Sequence, residues 1–426
     1  MKDYSKEILE MGSKAKAAAR LLRTKSSTDK DAFLIELYNQ LDIFKEAILE
    51  ANELDVTRAR ESGIKESLVE RLALSEKRFS EMREGLLQVA SLKDPVGEVD
   101  SMWLNSSGLK IGSRRVPLGV IAMIYESRPN VTIDAAALCI KTGNSVILKG
   151  GSDALNTNIA LMKAVEKAIE IKGFPEGTAQ LVETTDREFT AQLLSARDQI
   201  DCVIPRGSEG LISFVASNSK IPIIETGTGN CHIFVDKGYD IKNAVEIIIN
   251  AKTQRPGACN AVETVLVHSD CASKLLKLLV PSMQAAGVTL ALCESSFRIS
   301  HELGLELEHC REAVESDWET EFLDLVLAVK VVNTMEDAIE HINKYSTGHS
   351  EAILTKNYDN AQKFLDFVDS AAVYVNASTR FTDGGEFGFG AEIGISTQKL
   401  HARGPMGLKA LTTNKYIVYG NGQIRN

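Results

Sequence analysis

The sequence lacks the features that mark a secreted, zinc-binding or membrane-spanning protein. Its seven cysteines are an odd number, no two of them form a Cys-x-x-Cys pair, and the seven histidines form no ligand-spaced group with them. Neither a disulfide framework nor a zinc site is therefore predicted. The first residues, Met1 to Glu7, hold no apolar core of a secretory signal. No apolar run approaches the ~20 residues that span a bilayer. We expect a cytoplasmic protein that binds no metal.

A basic surface is missing as well. Lysine and arginine number 48 against 58 aspartates and glutamates, which gives a formal net charge of −10 at pH 7. Nucleic acids and anionic membranes attract basic patches, so we expect neither as a partner. With 44% hydrophobic and 25% charged residues, the composition is typical of a globular protein of two or three domains. We expect its partner to be a small-molecule substrate.

The first hundred residues read as helices followed by a hairpin. Apolar residues recur at helical spacing up to about residue 92, and Asp94–Gly97 marks a break. Residues 102–116 then predict a hairpin, with Asn105–Gly108 as turn material. A hairpin outside a strand–helix alternation often pairs with another chain, so we treat this one as an oligomerisation element.

From Leu118 onward the pattern changes to an alternation of strands and helices. Strands are predicted at 119–125, 145–149, 179–182, 201–204 and 221–224. The intervening helices are predicted at 131–141, 153–171, 187–195 and 209–217. This alternation predicts a Rossmann-like parallel sheet with helices on both faces. No Gly-x-Gly-x-x-Gly follows the first strand, so a dinucleotide would be held differently from the usual fingerprint.

A second α/β unit is predicted from about Cys231. Its strand-like runs lie at 232–235, 263–267, 325–332, 352–354 and 371–375. A glycine-rich segment, 384–394, follows, and an alternating tail at 411–419 closes the chain as a further strand.

The stretch Thr253–Ala261 places Cys259 among small residues just after a Pro-Gly turn. A nucleophilic thiol needs an accessible sulfur and a backbone that the substrate can approach closely. The backbone N–H groups beside Cys259 could also face a developing oxyanion. The competing interpretation is a small buried hydrophobe, which is what most free cysteines are.

Four further motifs follow predicted strands. Asn130 suits either an amide donor to an oxyanion or a helix N-cap. Lys149 ends the second strand, where α/β sheets bind ligands, although a solvated loop lysine fits equally. Gly207 and Ser208 open a helix and could bind a pyrophosphate through backbone N–H groups, but such turns also occur without a ligand. Glu225 suits either a base or a structural carboxylate.

Taken together, these motifs resemble the aldehyde dehydrogenase superfamily from about residue 100 to the C-terminus. The segments that carry the resemblance are Pro117–Val120, Pro129–Asn130, Gly143–Lys149, Glu225 and Cys259. Four later segments are similar to the branch that reduces L-glutamate 5-phosphate, namely 332–342, 346–353, 381–396 and 400–405. Several long motifs in the same order make a chance match very improbable.

The resemblance implies an aldehyde dehydrogenase-like α/β fold with three parts. A Rossmann-like NADP(H)-binding domain would comprise 1–100 and 117–228, and an α/β catalytic domain would comprise 229–400. Segments 101–116 and 401–426 would be oligomerisation elements of a homo-oligomer, in which the hairpin pairs with the C-terminal tail.

The resemblance also implies an activity, which is the NADPH-dependent reduction of L-glutamate 5-phosphate to L-glutamate 5-semialdehyde and phosphate in proline biosynthesis. Cys259 would form a thioester, and Asn130 with the backbone N–H of Cys259 would stabilise the oxyanion. Glu225 would serve in proton transfer or positioning. The sequence carries no kinase-like segment, so we expect a monofunctional enzyme that contacts the glutamate 5-kinase supplying its labile substrate.

The same resemblance assigns the cofactor residues. Lys149 would contact a cofactor ribose, and Ser152 stands where NAD-preferring relatives tend to carry glutamate, which favours NADP(H) because serine can donate to a 2′-phosphate. Gly207 and Ser208 would bind the pyrophosphate, and Glu321 would hold the nicotinamide ribose, with Asp324 as an alternative.

Five residues are candidates for substrate anchoring: Arg255, His349, Glu351, Arg380 and Asp383. Each could equally stabilise a loop.

Two rival functions remain open. One is a hydrolytic NAD(P)-dependent semialdehyde dehydrogenase, and the other is a non-catalytic binding protein that keeps the fold. The serine at 152 and the departure from Glu-Leu-Gly-Gly around Glu225 speak against the first, and the retention of Cys259, Asn130 and Lys149 speaks against the second.

Overall fold

The computed structural model describes residues 2–64 and 66–425, and the chain forms two compact units. The first unit comprises Met1–Thr226, Gly388–Gly394 and Met406–Asn426, and the second comprises Gly227–Phe387 and Ile395–Pro405. The glycine-rich segment and the C-terminal part of the chain are thus divided between the units. The predicted domain boundaries at 100, 117, 228 and 400 stay a prediction.

The first unit begins with five helices, as the helical spacing predicted. They are α1 (Ser5–Leu22), α2 (Ser27–Ile43), α3 (Lys45–Glu61), α4 (Glu66–Leu72) and α5 (Glu76–Ser91). Helix α2 is capped by Ser26, whose side chain accepts from the backbone N–H of Asp29 while the Asp29 side chain accepts from Ser26. The apolar positions Phe33, Leu37 and Leu41 of this helix are fully buried, so its stability comes from packing as well as from its cap.

A hairpin and a parallel sheet follow. The strands are β1 (Val99–Leu104), β2 (Lys110–Pro117), β3 (Val120–Tyr125), β4 (Ser145–Lys149), β5 (Ala179–Leu181) and β6 (Cys202–Arg206). The last four form a parallel sheet in the order β5-β4-β3-β6. The helices that alternate with them are α6 (Asn130–Lys141), α7 (Leu155–Lys172), α8 (Arg187–Leu193) and α9 (Glu209–Asn218). Strands β3 and β4 are buried along their whole length, which explains their continuous apolar runs.

The strand predicted at 221–224 is wrong. The segment makes a single β-bridge, between Ile223 and Val203. Two backbone hydrogen bonds of 2.9 Å join it to β6, from Val203 N–H to Pro222 O and from Ile224 N–H to Val203 O. Pro222 has no N–H to extend the ladder, so the pairing stops at one residue and the chain continues as a loop through Glu225.

The second unit is built on a seven-stranded sheet. Its strands are β7 (Cys231–Val235), β8 (Val262–His268), β9 (Thr289–Leu292), β10 (Cys310–Glu312), β11 (Val326–Val332), β12 (Ser350–Leu354) and β13 (Ala372–Val375). Their order is β10-β9-β11-β8-β7-β12-β13, and every neighbouring pair is parallel. The sequence predicted five of these strands and missed β9 and β10, which are only four and three residues long.

The central strand β8 is buried at every position. Helices α10 (Ile241–Thr253), α11 (Ser269–Ala285), α12 (Glu294–Glu302), α13 (Met335–Tyr345) and α14 (Tyr358–Phe367) complete this unit with a short antiparallel pair, β14 (Ile395–Ser396) and β15 (Gly404–Pro405). Because the strands are parallel, the segments that enter β7, β8 and β12 reach the sheet at the same edge. Residues 254–261, the turn that holds Cys259, lie at that edge.

The predicted hairpin is present, and the chain ends by adding a strand to it. Strand β16 (Thr412–Tyr419) pairs antiparallel with β2 of the same chain, which gives a three-stranded sheet in the order β1-β2-β16. Gly108 takes a positive φ of 78° in the hairpin turn, a conformation that glycine adopts without strain. No helix in the described part of the chain is long and apolar enough to cross a membrane.

Candidate active site

Cys259 lies in a tight turn between the end of α10 and the start of β8. Backbone hydrogen bonds from Ala258 N–H to Arg255 O (3.1 Å) and from Ala261 N–H to Ala258 O (3.0 Å) close two successive turns around it. Cys259 is half-buried, whereas Cys231 is fully buried. Burial raises the pKa of the Cys231 thiol, and the nearby Glu351 carboxylate adds to that rise. We call residues 254–261, which hold the predicted nucleophile, the nucleophile turn.

Gly229 packs directly against the backbone of Cys259. A Cβ built on Gly229 would lie 1.4 Å from the carbonyl oxygen of Cys259 and 2.8 Å from its Cα, so no side chain fits at this position. The thiol of Cys231 donates to the same carbonyl oxygen across 3.2 Å. The segment that enters β7 therefore sets the position of the nucleophile turn.

Two side chains from later segments hold Gly229 in place. Its N–H donates to Oε1 of Glu321 at 2.7 Å. Thr347 holds the two residues that flank Gly229, because its hydroxyl donates to Thr228 O at 2.6 Å and accepts from Asn230 N–H at 3.0 Å. Charged and neutral hydrogen bonds together thus fix a glycine that itself has no side chain to anchor it.

One arginine of this turn, Arg255, and one arginine that is hydrogen-bonded to it, Arg380, bring two guanidinium groups to the site. Burial lowers the pKa of Arg380, and the positive charge of Arg255 lowers it further, while Cys259 and Asp383 act in the opposite direction. Nε of Arg380 donates to Oε1 of Gln254 at 2.7 Å. Two cations close enough to oppose each other's charge form a site that an anion would stabilise.

Asp383 caps the turn that follows it, because its Oδ1 accepts from Gly385 N–H at 2.8 Å.

His349 ends the loop that enters β12, Glu351 is the second residue of that strand, and both are fully buried. Glu351 accepts from the backbone N–H of His232 at 2.6 Å and from the hydroxyl of Ser346. His349 contacts the Ser350 hydroxyl through Nδ1 at 2.8 Å. These contacts support the loop that carries Thr347.

In the first unit, Asn130 is the first helical residue of α6, and Pro129 occupies the N-cap position. The N-cap interpretation of Asn130 is therefore wrong. Its Nδ2 instead donates to Oδ2 of Asp134 at 2.8 Å. Burial raises the pKa of Asp134 to about 6, although the bond from Asn130 and the charge of Arg206 oppose that rise.

Lys149 is a buried ammonium group at the end of β4. Only 7% of its surface is exposed, its Nζ donates to Gly150 O at 3.0 Å, and burial lowers its pKa. Ser152, three residues on, is exposed in a short 3-10 turn before α7. An ammonium group has three donors, so Lys149 retains capacity for hydroxyl or phosphate oxygens.

Helix α9 begins at the predicted anion site, and a carboxylate of the chain lies there. Ser208 is the N-cap, and its backbone N–H and hydroxyl donate to Oε2 of Glu126 at 2.8 and 2.9 Å. A Cβ on Gly207 would lie 2.5 Å from the same oxygen. Glu126 was missed by the sequence analysis because it has no local signal and meets Ser208 only through the pairing of β3 with β6.

Glu225 is half-buried and lies two residues after the single β-bridge. The next residue, Thr226, donates through its hydroxyl to Pro205 O at 3.0 Å, which fixes the chain at this point.

The structure thus brings four predicted residues together in the second unit, Cys259, Glu321, Arg255 and Arg380. It also adds Gly229, Cys231, Gln254 and Asn260, none of which was a candidate site residue. Two signals were available: Gln254 and Asn260 lie within the stretch Thr253–Ala261 already singled out, and Gly229 lies four residues after Glu225, in a loop with two glycines.

Comparison with known proteins gives consistent matches. The sequence profile of the aldehyde dehydrogenase family matches residues 4–295 and 317–416. Gamma-glutamyl phosphate reductase of Caldanaerobacter subterraneus is 56% identical over 419 residues, which is 98% of this chain and 100% of the relative. The enzyme of the same name from Clostridium tetani is 53% identical over 428 residues, 100% of each chain.

Solved structures agree. The crystal structure of gamma-glutamyl phosphate reductase from Thermotoga maritima matches with a TM-score of 0.94 and 51% identity, over 99% of this chain and 100% of that one. An acetylating aldehyde dehydrogenase from Geobacillus thermoglucosidasius, at 18% identity and a TM-score of 0.69 over 99% and 98% of the two chains, shares the fold.

Proposed function

The chain belongs to the aldehyde dehydrogenase family, among its gamma-glutamyl phosphate reductases, and from this premise we propose its reaction. The proposed reaction is the NADPH-dependent reduction of L-glutamate 5-phosphate to L-glutamate 5-semialdehyde and phosphate in proline biosynthesis, through a thioester on Cys259.

The observation that carries the proposal is that Arg255 lies in the same turn as Cys259 and that Nε of Arg380 donates to Gln254 of that turn at 2.7 Å. In the first step the thiolate attacks the acyl carbon, the bond from that carbon to the phosphate oxygen breaks, and phosphate leaves with the electron pair. Arg255 and Arg380 supply positive charge where the leaving phosphate, or another anionic group of the substrate, gathers negative charge. Water as acyl acceptor would need no such pair of cations.

The second step converts the thioester to the aldehyde. NADPH, when bound, supplies the hydride for this reduction. The resulting thiohemiacetal collapses, the carbon–sulfur bond breaks, and the Cys259 thiolate is regenerated. Negative charge develops on the same oxygen in both steps, and we assign its stabilisation to the Asn130 amide and the backbone N–H of Cys259. Glu225 is assigned to proton transfer or positioning.

The residues of the chain fit a nicotinamide cofactor, which the family implies. Lys149 offers a buried ammonium group that has donors left for ribose oxygens, and Ser152 offers an exposed hydroxyl for a 2′-phosphate. Gly207 and Ser208 are assigned to the pyrophosphate, for which the Glu126 carboxylate would have to give way. Glu321 is assigned to the nicotinamide ribose.

Further parts of the proposal concern substrate and partners. We assign substrate anchoring to Arg255 and Arg380, and extend it to His349, Glu351 and Asp383. The cellular setting is proposed to be the cytoplasm, where the chain forms a homo-oligomer and contacts the glutamate 5-kinase that makes its substrate.

The test is turnover in the reverse direction. Glutamate 5-semialdehyde and NADP are mixed with and without inorganic phosphate, for the unchanged protein, Cys259→Ala and the control Cys310→Ala, which removes another half-buried thiol of the same unit. We expect NADPH to form only with phosphate, in the unchanged protein and the control. Turnover without phosphate would assign the chain to hydrolytic chemistry. Full activity of Cys259→Ala would show that the reaction does not pass through a thioester on this residue.

A further inference from the structure

Asn260, the residue after the nucleophile, ties the nucleophile turn to the segment that carries Arg380. The Asn260 side chain is 4% exposed, and its Nδ2 donates to Thr382 O at 2.9 Å and to Arg380 O at 3.3 Å. Its backbone oxygen accepts from the Thr379 hydroxyl at 2.7 Å. All three hydrogen bonds join one residue to the segment 379–382.

We propose that Asn260 is a positioning residue for anion recognition, which holds the Arg380 guanidinium beside Cys259 and thereby makes the site selective for anionic acyl compounds. This inference rests on the proposed function, since it deepens the role assigned there to Arg380.

The charges explain why such a tether is needed. Arg255 and Arg380 repel each other, and burial of Arg380 adds a desolvation cost. Left to itself, the segment 379–382 would relax by moving the Arg380 guanidinium toward solvent. Asn260 fixes the backbone of that segment, and Gln254 fixes the guanidinium through Nε at 2.7 Å. Both anchors belong to the nucleophile turn, so Arg380 is held at two points by the element that carries the thiol.

The chemistry of the anchor is specific to an amide. Nδ2 has two hydrogens, and the two backbone carbonyls take both. An alanine at 260 would leave the buried carbonyl oxygen of Thr382 and the partly buried one of Arg380 without these donors. The alternative is that Asn260 only shapes the turn, in which case its loss would slow every reaction of Cys259 alike.

The test compares two reagents that attack the same thiol. Iodoacetamide is neutral and iodoacetate is anionic, and each forms a carbon–sulfur bond with the thiolate as iodide leaves. The rate of labelling at Cys259 is followed by peptide mass spectrometry for the full chain. The ratio of the iodoacetate rate to the iodoacetamide rate then reports the positive potential at Cys259. No turnover is needed, so the result is independent of the proposed reaction.

Four variants decide the outcome. Arg380→Gln gives the ratio of the two labelling rates that is expected when the Arg380 charge is absent. Asn260→Ala removes the side-chain hydrogen bonds to the segment 379–382 without changing any charge. Thr379→Val removes one hydrogen bond from the other side with little change in shape, and it carries the test if Asn260→Ala does not fold. Asn343→Ala is the control, because it deletes a side-chain amide that donates to Phe367 O elsewhere in the same unit.

We expect Asn260→Ala to lower the ratio about tenfold toward the Arg380→Gln value, while the iodoacetamide rate changes by less than about twofold. The double variant with Arg380→Gln should fall no further than Arg380→Gln alone. Equal slowing of both reagents, or full additivity in the double variant, would overturn the proposal. A shifted ratio together with phosphate-independent turnover would instead retain Asn260 as a positioning residue and reject the acyl-phosphate reaction.

Discussion

The amide of Asn130 donates a 2.8 Å hydrogen bond to the Asp134 carboxylate one turn further along α6. An ionised carboxylate only accepts hydrogen bonds, so it selects the NH₂ end of the amide and fixes its orientation. One of the two amide hydrogens is used in this way, and the other could serve the oxyanion role that we propose for Asn130.

We predict that Asp134 controls both the amide and the pH dependence of stability. Its pKa of about 6 in the folded chain lies above the ordinary 3.8. Between these pH values the folded state keeps a proton that the unfolded state has released, so this group's contribution to the free energy of unfolding falls as pH rises from about 4 to 6. Asp134→Asn keeps an acceptor without ionising, so its stability relative to the unchanged protein should rise over that window and level off above it.

Urea unfolding at pH 4.5 to 8 measures this difference, and Asp198→Asn, at an exposed position of the same unit, should show none.

In turnover, Asn130→Ala should cost ~10²–10³ in rate as the loss of an oxyanion donor. Asp134→Leu should also lower kcat, and adding Asp134→Leu to Asn130→Ala should cost little more. Full additivity would mean that Asp134 does not act through the amide.

We predict that Gly229→Ala lowers turnover roughly 10²-fold by displacing Cys259. The new Cβ would lie 1.4 Å from the carbonyl oxygen of Cys259, and the turn must move by about 1 Å or more to relieve the overlap. A misplacement of that size costs roughly 10²-fold in rate. Gly85→Ala is the control, since nothing lies within 4 Å of a Cβ built at that position. Reverse turnover and iodoacetamide labelling should both fall in the first variant, and normal activity there would contradict the packing described.

We predict that removing one partner of the buried ion pair in the second unit strongly lowers the free energy of unfolding. Replacing both partners by apolar residues should lower it much less. Lys252 and Glu263 are both fully buried and bonded to each other, and Glu263 also accepts from Leu323 N–H at 3.3 Å. Burial raises the pKa of Glu263, and Lys252 opposes that rise. Lys252→Met leaves a buried carboxylate without its partner and should cost about 3–5 kcal/mol in the free energy of unfolding.

The double variant Lys252→Met with Glu263→Leu should recover most of that loss, because no unpaired charge remains. Lys277→Met, at an exposed position on α11, serves as the control and should change stability by less than about 0.5 kcal/mol. Guanidinium chloride unfolding measures all three, and a double variant as unstable as Lys252→Met alone would show that the pair itself stabilises the fold.

The sequence by itself determined the α/β class, most strands and the nucleophile stretch. Alternating apolar periods fix strands and helices locally, and a thiol between small residues after Pro256-Gly257 is visible without any fold. The sequence could not show β9 or β10, because runs of three or four residues are too short to reveal a period. It also could not show that 221–224 does not form a strand, because that depends on how far its pairing with β6 extends.

Only the tertiary structure decided which side chains meet. Asn260 and Thr382 are 122 residues apart, and Glu126 and Ser208 are 82 apart, so no local propensity could connect them. The rule that ligands bind at the carboxyl ends of strands located Lys149, but the nucleophile turn enters β8 at its amino end. Parallel pairing gathers the segments that enter neighbouring strands at one edge, and hydrogen bonds between those distant segments set the position of Cys259.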